Sequence, residues 1–298
     1  MTIRCRAYTS QDLLQVRDYI SYSYSKLNRP GSWLIARFEF EIFFYQLRAG
    51  LLPGWERNIG IWEEDDGQIA AMVLRDGDFY FQLHTEDPEE SLLQEMFQFI
   101  ENIGGQEEQR ACKLAIPQHW TKVEAIAAGR GYAIVPGESD NAVSISLDRE
   151  FPVEMQGGFR IAAGREVSDR AKALGHIMAF DYAGTERAEH MLRLYGGLRE
   201  APDYRSDLDL SVLNEAGEVV AFCNIFVDEV NRIGVLEPVG THKDYRLQGL
   251  GKAVIYEGLN RLREKGARKA YVGPMQPFYE RIGFRLETGF SVWRKELK

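Results

Sequence analysis

Cysteine is scarce. The 298 residues hold three, Cys5, Cys112 and Cys223, far apart, odd in number and without a C-x-x-C spacing. That usage argues against a disulfide framework or a zinc site, no metal is expected, and a reducing cytoplasm is the natural compartment. Long apolar runs are also missing. None approaches the ~20 residues of a membrane span, and the opening M-T-I-R-C-R-A-Y has no signal-peptide character, so no membrane association is expected. Positive charge is the minority, 36 Lys and Arg against 45 Asp and Glu for a net −9. Nucleic acid, which needs a basic face, is not an expected partner. What remains is a globular composition, 45% hydrophobic and 27% charged, over a length that suits two units of about 150 residues.

The most informative stretch runs from Ile233 to Ile255. An apolar run, Ile233 to Val239, reads as a strand, and a polar turn containing His242 and Lys243 follows. Then Arg246-Leu247-Gln248-Gly249-Leu250-Gly251-Lys252 leads into a helical pattern that stops at Gly266. A strand, a glycine turn and a helix N-terminus make an anion site, because the first helical N–H groups lack internal partners. Gly249 and Gly251 remove the side chains that would keep a phosphate from that backbone.

The rest of the chain reads as one element order met twice. Ile3 to Tyr8 is a predicted strand, Asp12 to Ile20 a helix, and Phe40, Phe43, Phe44 and Leu47 at helical spacing read as a buried helix face, against the alternative of an aromatic substrate box. A hairpin turns at Asp65-Asp66-Gly67, Asp78 to His84 is a strand, and Glu89 to Ile103 is a helix. Ala111 to Pro117 is a strand, Lys122 to Tyr132 a helix and its end, and Ala142 to Leu147 a closing strand. After an irregular stretch, Phe159 to Ala163 restarts the order, with a helix over Asp169 to Phe180 and a second hairpin turning at Gly217. G-R-G-Y near Gly131 mirrors R-I-G-F near Gly283, and the boundary falls between Glu150 and Gly158.

R-x-x-G-x-G alone is a weak signal. Set between a strand and a helix, and followed by Pro277-Phe278-Tyr279-Glu280-Arg281-Ile282-Gly283-Phe284, it resembles the GNAT superfamily of acyl-CoA-dependent N-acyltransferases. The resemblance implies an α/β (α+β) fold of two tandem GNAT-like domains, 1–150 and 158–298, each a mixed, mostly antiparallel sheet flanked by helices. Only the second carries the acyl-CoA motif. At the matching place the first offers His84 to Glu90, with no glycine and four carboxylates, and Ala127 where the second has Tyr279. Such a turn repels a pyrophosphate, so the N-terminal half is a degenerate copy.

The resemblance also implies roles. The backbone of Val239 and Thr241 holds the pantetheine arm of acetyl-CoA as an added strand would. The Val239 N–H serves the acyl oxygen. The N–H groups of Leu247, Gln248, Gly249, Leu250, Gly251 and Lys252 hold the pyrophosphate, with charge from Arg246 and Lys252. Tyr279 protonates the departing thiolate, a step uphill from a phenol near 10 to a thiol near 8.5 unless it is concerted. The competing reading of Tyr279 is a core aromatic. An amine acceptor of pKa near 10.4 is neutral in only about one molecule in 2,500 at pH 7, so a base is useful. Glu237, two residues before Val239 and therefore on its face, is the candidate, against the reading of a polar strand end. Val235 and Ile233 stand where many family members place that glutamate, and the family's upstream asparagine is absent from Tyr271 to Pro277.

The acceptor side falls on the connection after the first helix. There Asp181 and Glu186 can receive an ammonium and Tyr182 can stack, against the alternative of a solvated loop. The expected activity is N-acetyl transfer from acetyl-CoA to a small-molecule or peptide amine, by direct attack in a ternary complex. A non-catalytic acyl-CoA sensor on the same fold is the alternative, and transfer of a longer acyl chain a lesser one.

Overall fold

The computed structural model describes residues 3–45, 55–106 and 110–297. The first half runs β1 (Arg4–Ala7), α1 (Leu13–Leu27), α2 (Ile35–Tyr45), β2 (Gly60–Glu63), β3 (Ile69–Asp76), β4 (Asp78–Leu83), α3 (Glu90–Gly104), β5 (Ala111–Pro117), α4 (Thr121–Gly129) and β6 (Ala133–Ser146). The second runs β7 (Arg160–Ala163), α5 (Asp169–Ala179), α6 (Glu186–Leu194), β8 (Asp209–Leu213), β9 (Val219–Asp228), β10 (Ile233–Thr241), α7 (Leu250–Glu264), β11 (Lys269–Val272), α8 (Pro277–Arg281) and β12 (Arg285–Glu296). The order β-α-α-β-β-β-α-β-α-β therefore occurs twice.

Local chemistry explains the repeat. Both hairpins turn on a glycine in left-handed conformation, Gly67 at φ +83° and Gly217 at φ +79°, a region that costs other L-residues energy. The two turns close alike, with Gly67 N–H to Glu64 O and Gly217 N–H to Asn214 O, each at 2.9 Å. Ser168 and Thr185 cap α5 and α6 by accepting from Ala171 and Ala188 N–H, which satisfies donors that the first turn leaves open.

Among the described residues twelve strands form one sheet, ordered β1-β2-β3-β4-β5-β12-β6-β11-β10-β9-β8-β7. It is antiparallel except for β4 beside β5 and β10 beside β11. The centre differs from the sequence expectation. The strand predicted to close the first half over Ala142 to Leu147 is the end of the longer β6, and it pairs with β11 of the second half, Lys269↔Ser146 to Val272↔Val143. In exchange β12, the last strand of the chain, pairs with β5 from Phe290↔Pro117 to Glu296↔Ala111. β6 and β12 also pair with each other, antiparallel, at the centre. Each half thus closes its sheet with the other's last strand, and the two are hydrogen-bonded into one body. α6, β11 and β12 have no counterpart in the sequence reading.

Separate cores lie under each half. Trp62, Phe81, Phe97 and Trp120 pack in the first, and Leu210, Ile225, Leu259 and Phe284 in the second. A third cluster belongs to neither half alone. It joins Phe40 and Phe44 of α2 to Ile177, Tyr195, Phe226, Val235 and Tyr271 of the second half. The expected buried face of α2 holds for Phe40 and Phe44, Phe43 is half-buried, and Leu47 lies outside the described residues.

Candidate active site in the cleft between the halves

β10 and β11 are partners only from Ile233↔Lys269 to Val235↔Tyr271. Beyond Val235 they separate. On its other edge β10 keeps β9, but Leu236↔Ile225 is followed by Val239↔Cys223, so β10 carries one extra residue at Glu237-Pro238. Such a bulge bends its strand and re-aims side chains. Asn224 steadies it by donating from Nδ2 to the Glu237 carbonyl at 3.0 Å. The result is a strand edge over 236–241 that no neighbouring strand covers among the described residues, open to an extended ligand arm.

The same strand leads into the glycine turn. Gly249 is the N-cap of α7 at φ +79° and Leu247 has φ +65° with its side chain fully exposed. The first intrahelical bond is Ala253 N–H to Gly249 O at 2.9 Å. The N–H groups of Leu250, Gly251 and Lys252 therefore point out of the helix start. A Cβ on Gly251 would stand 2.8 Å from Thr241 Oγ1, so glycine there lets the helix sit on the strand end. The buried Leu250 side chain anchors the turn to the core. Arg246 is engaged, its guanidinium donating to Thr241 O at 3.3 Å and Ala179 O at 2.8 Å, and Lys252 Nζ lies 5.2 Å from the Tyr256 ring centre.

Val239, Glu237 and Tyr279 line one cavity of about 770 Å³ between the halves. Burial, then Cys223 and Glu237, push the Tyr279 phenol well above its ordinary value, so it is held as a proton donor. Its hydroxyl has no hydrogen-bond partner among the described residues. Glu237 Oε1 accepts from Arg37 Nη1 at 2.7 Å, while Oε2 has no partner among the described residues.

Much of the opposite wall comes from the first half, through Trp33, Arg37, Phe40, Phe44, Tyr80 and the 137–142 stretch of β6. Five lining side chains are carboxylates, Asp76, Asp78, Glu138, Asp140 and Glu237; Arg37 pairs with Asp76 and Glu237, and Lys113 with Glu138 at 2.5 Å and Asp78 at 3.6 Å. Burial holds the Asp78 carboxyl above its usual range, against Lys113 and with help from Glu138 and Asp140. Tyr80 donates to Asp140 at 3.0 Å. On the second half's side His176 stacks on Phe44, Phe180 and Phe222, and burial, then Arg187, lower its pKa to about 3. It is a neutral ring.

Of the acceptor residues named from sequence, Tyr182 lines the cavity. Asp181 and Glu186 do not. Asp181 sits in a left-handed turn after α5 and its exposed carboxylate takes Lys243 Nζ at 2.9 Å. Glu186 is exposed in the first turn of α6, where a carboxylate favours the helix dipole. The missed residues, Arg37 and the acidic wall above all, belong to no local motif because they reach the site from the other half of the chain. In that half two of the counterpart turn's four carboxylates sit on cations, Glu86 beside Arg29 and Asp87 on Lys122 at 2.7 Å. Among the described residues no group of three or more His, Cys, Asp or Glu is arranged to hold a metal, and no helix is long and apolar enough to cross a membrane.

Residues 172–284 match the acetyltransferase (GNAT) family. A mycothiol acetyltransferase of Corynebacterium aurimucosum is 38% identical over 74 residues, which is 23% of this chain and 24% of that enzyme. A tandem GNAT protein from the clavulanic acid biosynthesis pathway superposes with a TM-score of 0.68 at 12% identity, covering 99% of this chain and 98% of the other. A GCN5-related N-acetyltransferase of Sphaerobacter thermophilus gives 0.60 at 18% identity, covering 99% and 95%.

Proposed function

We propose that this chain, a member of the GNAT superfamily through residues 172–284 with the fold of a tandem GNAT protein, transfers the acetyl group of acetyl-CoA to an amine in the cavity between its halves. The observation that carries the reading is the meeting of the open β10 edge, Glu237 and the Tyr279 phenol on that one cavity. Acetyl-CoA supplies an activated acyl thioester. The edge of β10 from Val239 to Thr241 holds its arm, and the α7 N-terminus from Leu247 to Lys252 holds its pyrophosphate. Arg246, engaged with two carbonyls, fixes the turn as well as adding charge.

The reaction follows from which proton each group can hold. Glu237 Oε2 takes a proton from the acceptor ammonium, and the freed amine nitrogen bonds to the acyl carbon. The Val239 N–H donates to the carbonyl oxygen as negative charge develops there. The carbon–sulfur bond breaks, Tyr279 gives its proton to the departing thiolate, and the second proton on the attacking nitrogen leaves to restore the Tyr279 phenol as the neutral amide forms. An acceptor that arrives positively charged suits a wall whose five carboxylates outnumber Arg37 and the Lys113 ammonium paired with Asp78 and Glu138. Small-molecule and peptide amines are the acceptor classes, Tyr182 is their stacking surface, and a reducing cytoplasm suits three free cysteines. We assign the acyl-CoA site to the unit 158–298 and read 1–150 as a unit without one.

CoA release from acetyl-CoA is the test, measured with a panel of amines and with calorimetric binding in parallel. Amine-dependent release supports the transferase. Tight binding with no release on any amine leaves an acyl-CoA sensor instead.

A further inference from the structure

We propose that Arg37, supplied by the half without an acyl-CoA motif, is a positioning residue that holds the Glu237 carboxylate for proton transfer in the other half. The inference rests on the transferase reading above.

Arg37 is itself fixed from several directions. It lies on α2, three residues before Phe40 and seven before Phe44, hence on the face that enters the core shared by the halves. Burying those two rings against Ile177, Phe226 and Val235 seats the helix across β10. The guanidinium lies 5.8 Å from the Trp33 ring centre and 6.0 Å from that of Phe40, distances at which a cation is attracted to the ring face. It is ion-paired to Glu41 at 2.5 Å and to Asp76. With its position settled by those contacts, its Nη1 reaches Glu237 Oε1 at 2.7 Å.

Glu237 has little else to hold it. It stands on a strand bulge at a cavity wall, and a free glutamate side chain spreads over many rotamers. Arg37 claims one carboxylate oxygen and leaves Oε2, the oxygen that would accept the acceptor's proton. A planar fork suits that task better than an ammonium, because it serves several carboxylates in fixed directions. The N-terminal half thereby contributes a part that the other half's site lacks, 200 positions away in the chain.

A kinetic double-mutant cycle on the full chain tests this. Arg37→Gln lowers kcat on the order of 10- to 100-fold, the scale of a reacting group displaced by about an ångström, with the KM for acetyl-CoA unchanged within about twofold. In a Glu237→Gln background the same substitution changes kcat less than about twofold, because nothing remains to be positioned. Arg37→Lys retains charge without the fork and falls between. If Arg37→Gln fails to fold, Asp76→Asn loosens Arg37 from its outer side and enters the same cycle, with a smaller loss that again vanishes beside Glu237→Gln. Losses that multiply in the double variant overturn the inference and leave the transferase standing. Wild-type protein that releases no CoA with any amine overturns the transferase reading and this inference together.

Discussion

The backbone N–H of Asp203 donates to Glu39 Oε2 at 3.0 Å, joining the halves between positions 164 apart in the chain. Arg17 grips the same Asp203 from the first half through Nε at 2.6 Å and Nη2 at 2.5 Å. Glu39 is fully buried. Burial first, then its hydrogen bond and proximity to the Asp203 carboxylate, raise its pKa to about 9 against the opposing pull of Arg17. Its carboxyl is therefore biased toward the protonated form.

A stability slope follows on the alkaline side. Between the ordinary value of 4.5 and about 9 the folded chain keeps a proton that the unfolded chain has lost. Stability from this group is fully present below 4.5 and is lost as pH rises through 9. Glu39→Gln keeps an acceptor for Asp203 N–H and a donor for its carboxylate, and it does not titrate. The variant should melt above the wild type at pH 9 by a few degrees, with the gap closing towards pH 5. A gap independent of pH would count against a protonated Glu39.

His176 sets the opposite limb. Its folded pKa of about 3 lies below the ordinary 6.5, through burial and then Arg187. The unfolded chain binds a proton in that interval that the folded chain refuses. Its contribution is present above 6.5 and is lost as pH falls through about 3. His176→Phe keeps a ring among Phe44, Phe180 and Phe222 and should flatten the fall in melting temperature between pH 6.5 and 4. An equally steep fall in the variant would assign the acid limb to other groups.

The sequence carried what is local. The glycine turn at 249–251, the hairpins at Gly67 and Gly217 and the twofold element order all rest on short-range chemistry, and the structure has them. The exchange of β6 and β12 is a choice between two pairings with the same apolar alternation, and only the neighbouring strands settle it. The three residues named for the acceptor part company for a related reason, Tyr182 lining the cavity and Asp181 and Glu186 standing outside it. Asp181 and Glu186 follow the first helix in sequence, whereas the charges lining the cavity come from Arg37, Asp76, Asp78 and β6 of the first half and from Glu237 on β10. Phe40 and Phe44 were legible as a buried face, but burial alone does not say that the buried face also walls a cleft.

The glycine turn gives a prediction confined to acetyl-CoA. Gly249 sits at φ +79° with open space around the position of a Cβ. Alanine there meets no clash but is strained by roughly 1–2 kcal/mol in that conformation. Glutamate adds a negative charge where a pyrophosphate would lie against the helix start. Calorimetry should find acetyl-CoA weakened about tenfold by Gly249→Ala and more by Gly249→Glu, with the KM for the amine unmoved. Equal weakening by both variants would show that strain, not charge, governs the turn.

Tyr279 offers the cleanest separation of chemistry from structure. Its ring packs in the core on Phe278 and Phe284, and Tyr279→Phe preserves that packing. The hydroxyl has no partner among the described residues, so its removal orphans no buried group, and the melting temperature should stay within about a degree. The phenol is kept protonated by burial, with Cys223 and Glu237 adding to it. If that proton goes to the departing thiolate, kcat falls by about 10²-fold or more while acetyl-CoA binds as before. A thioester with a more acidic leaving thiol needs the proton less, and the loss should shrink with it. A variant that turns over at the wild-type rate on both thioesters would make Tyr279 a packing residue and return the proton to solvent.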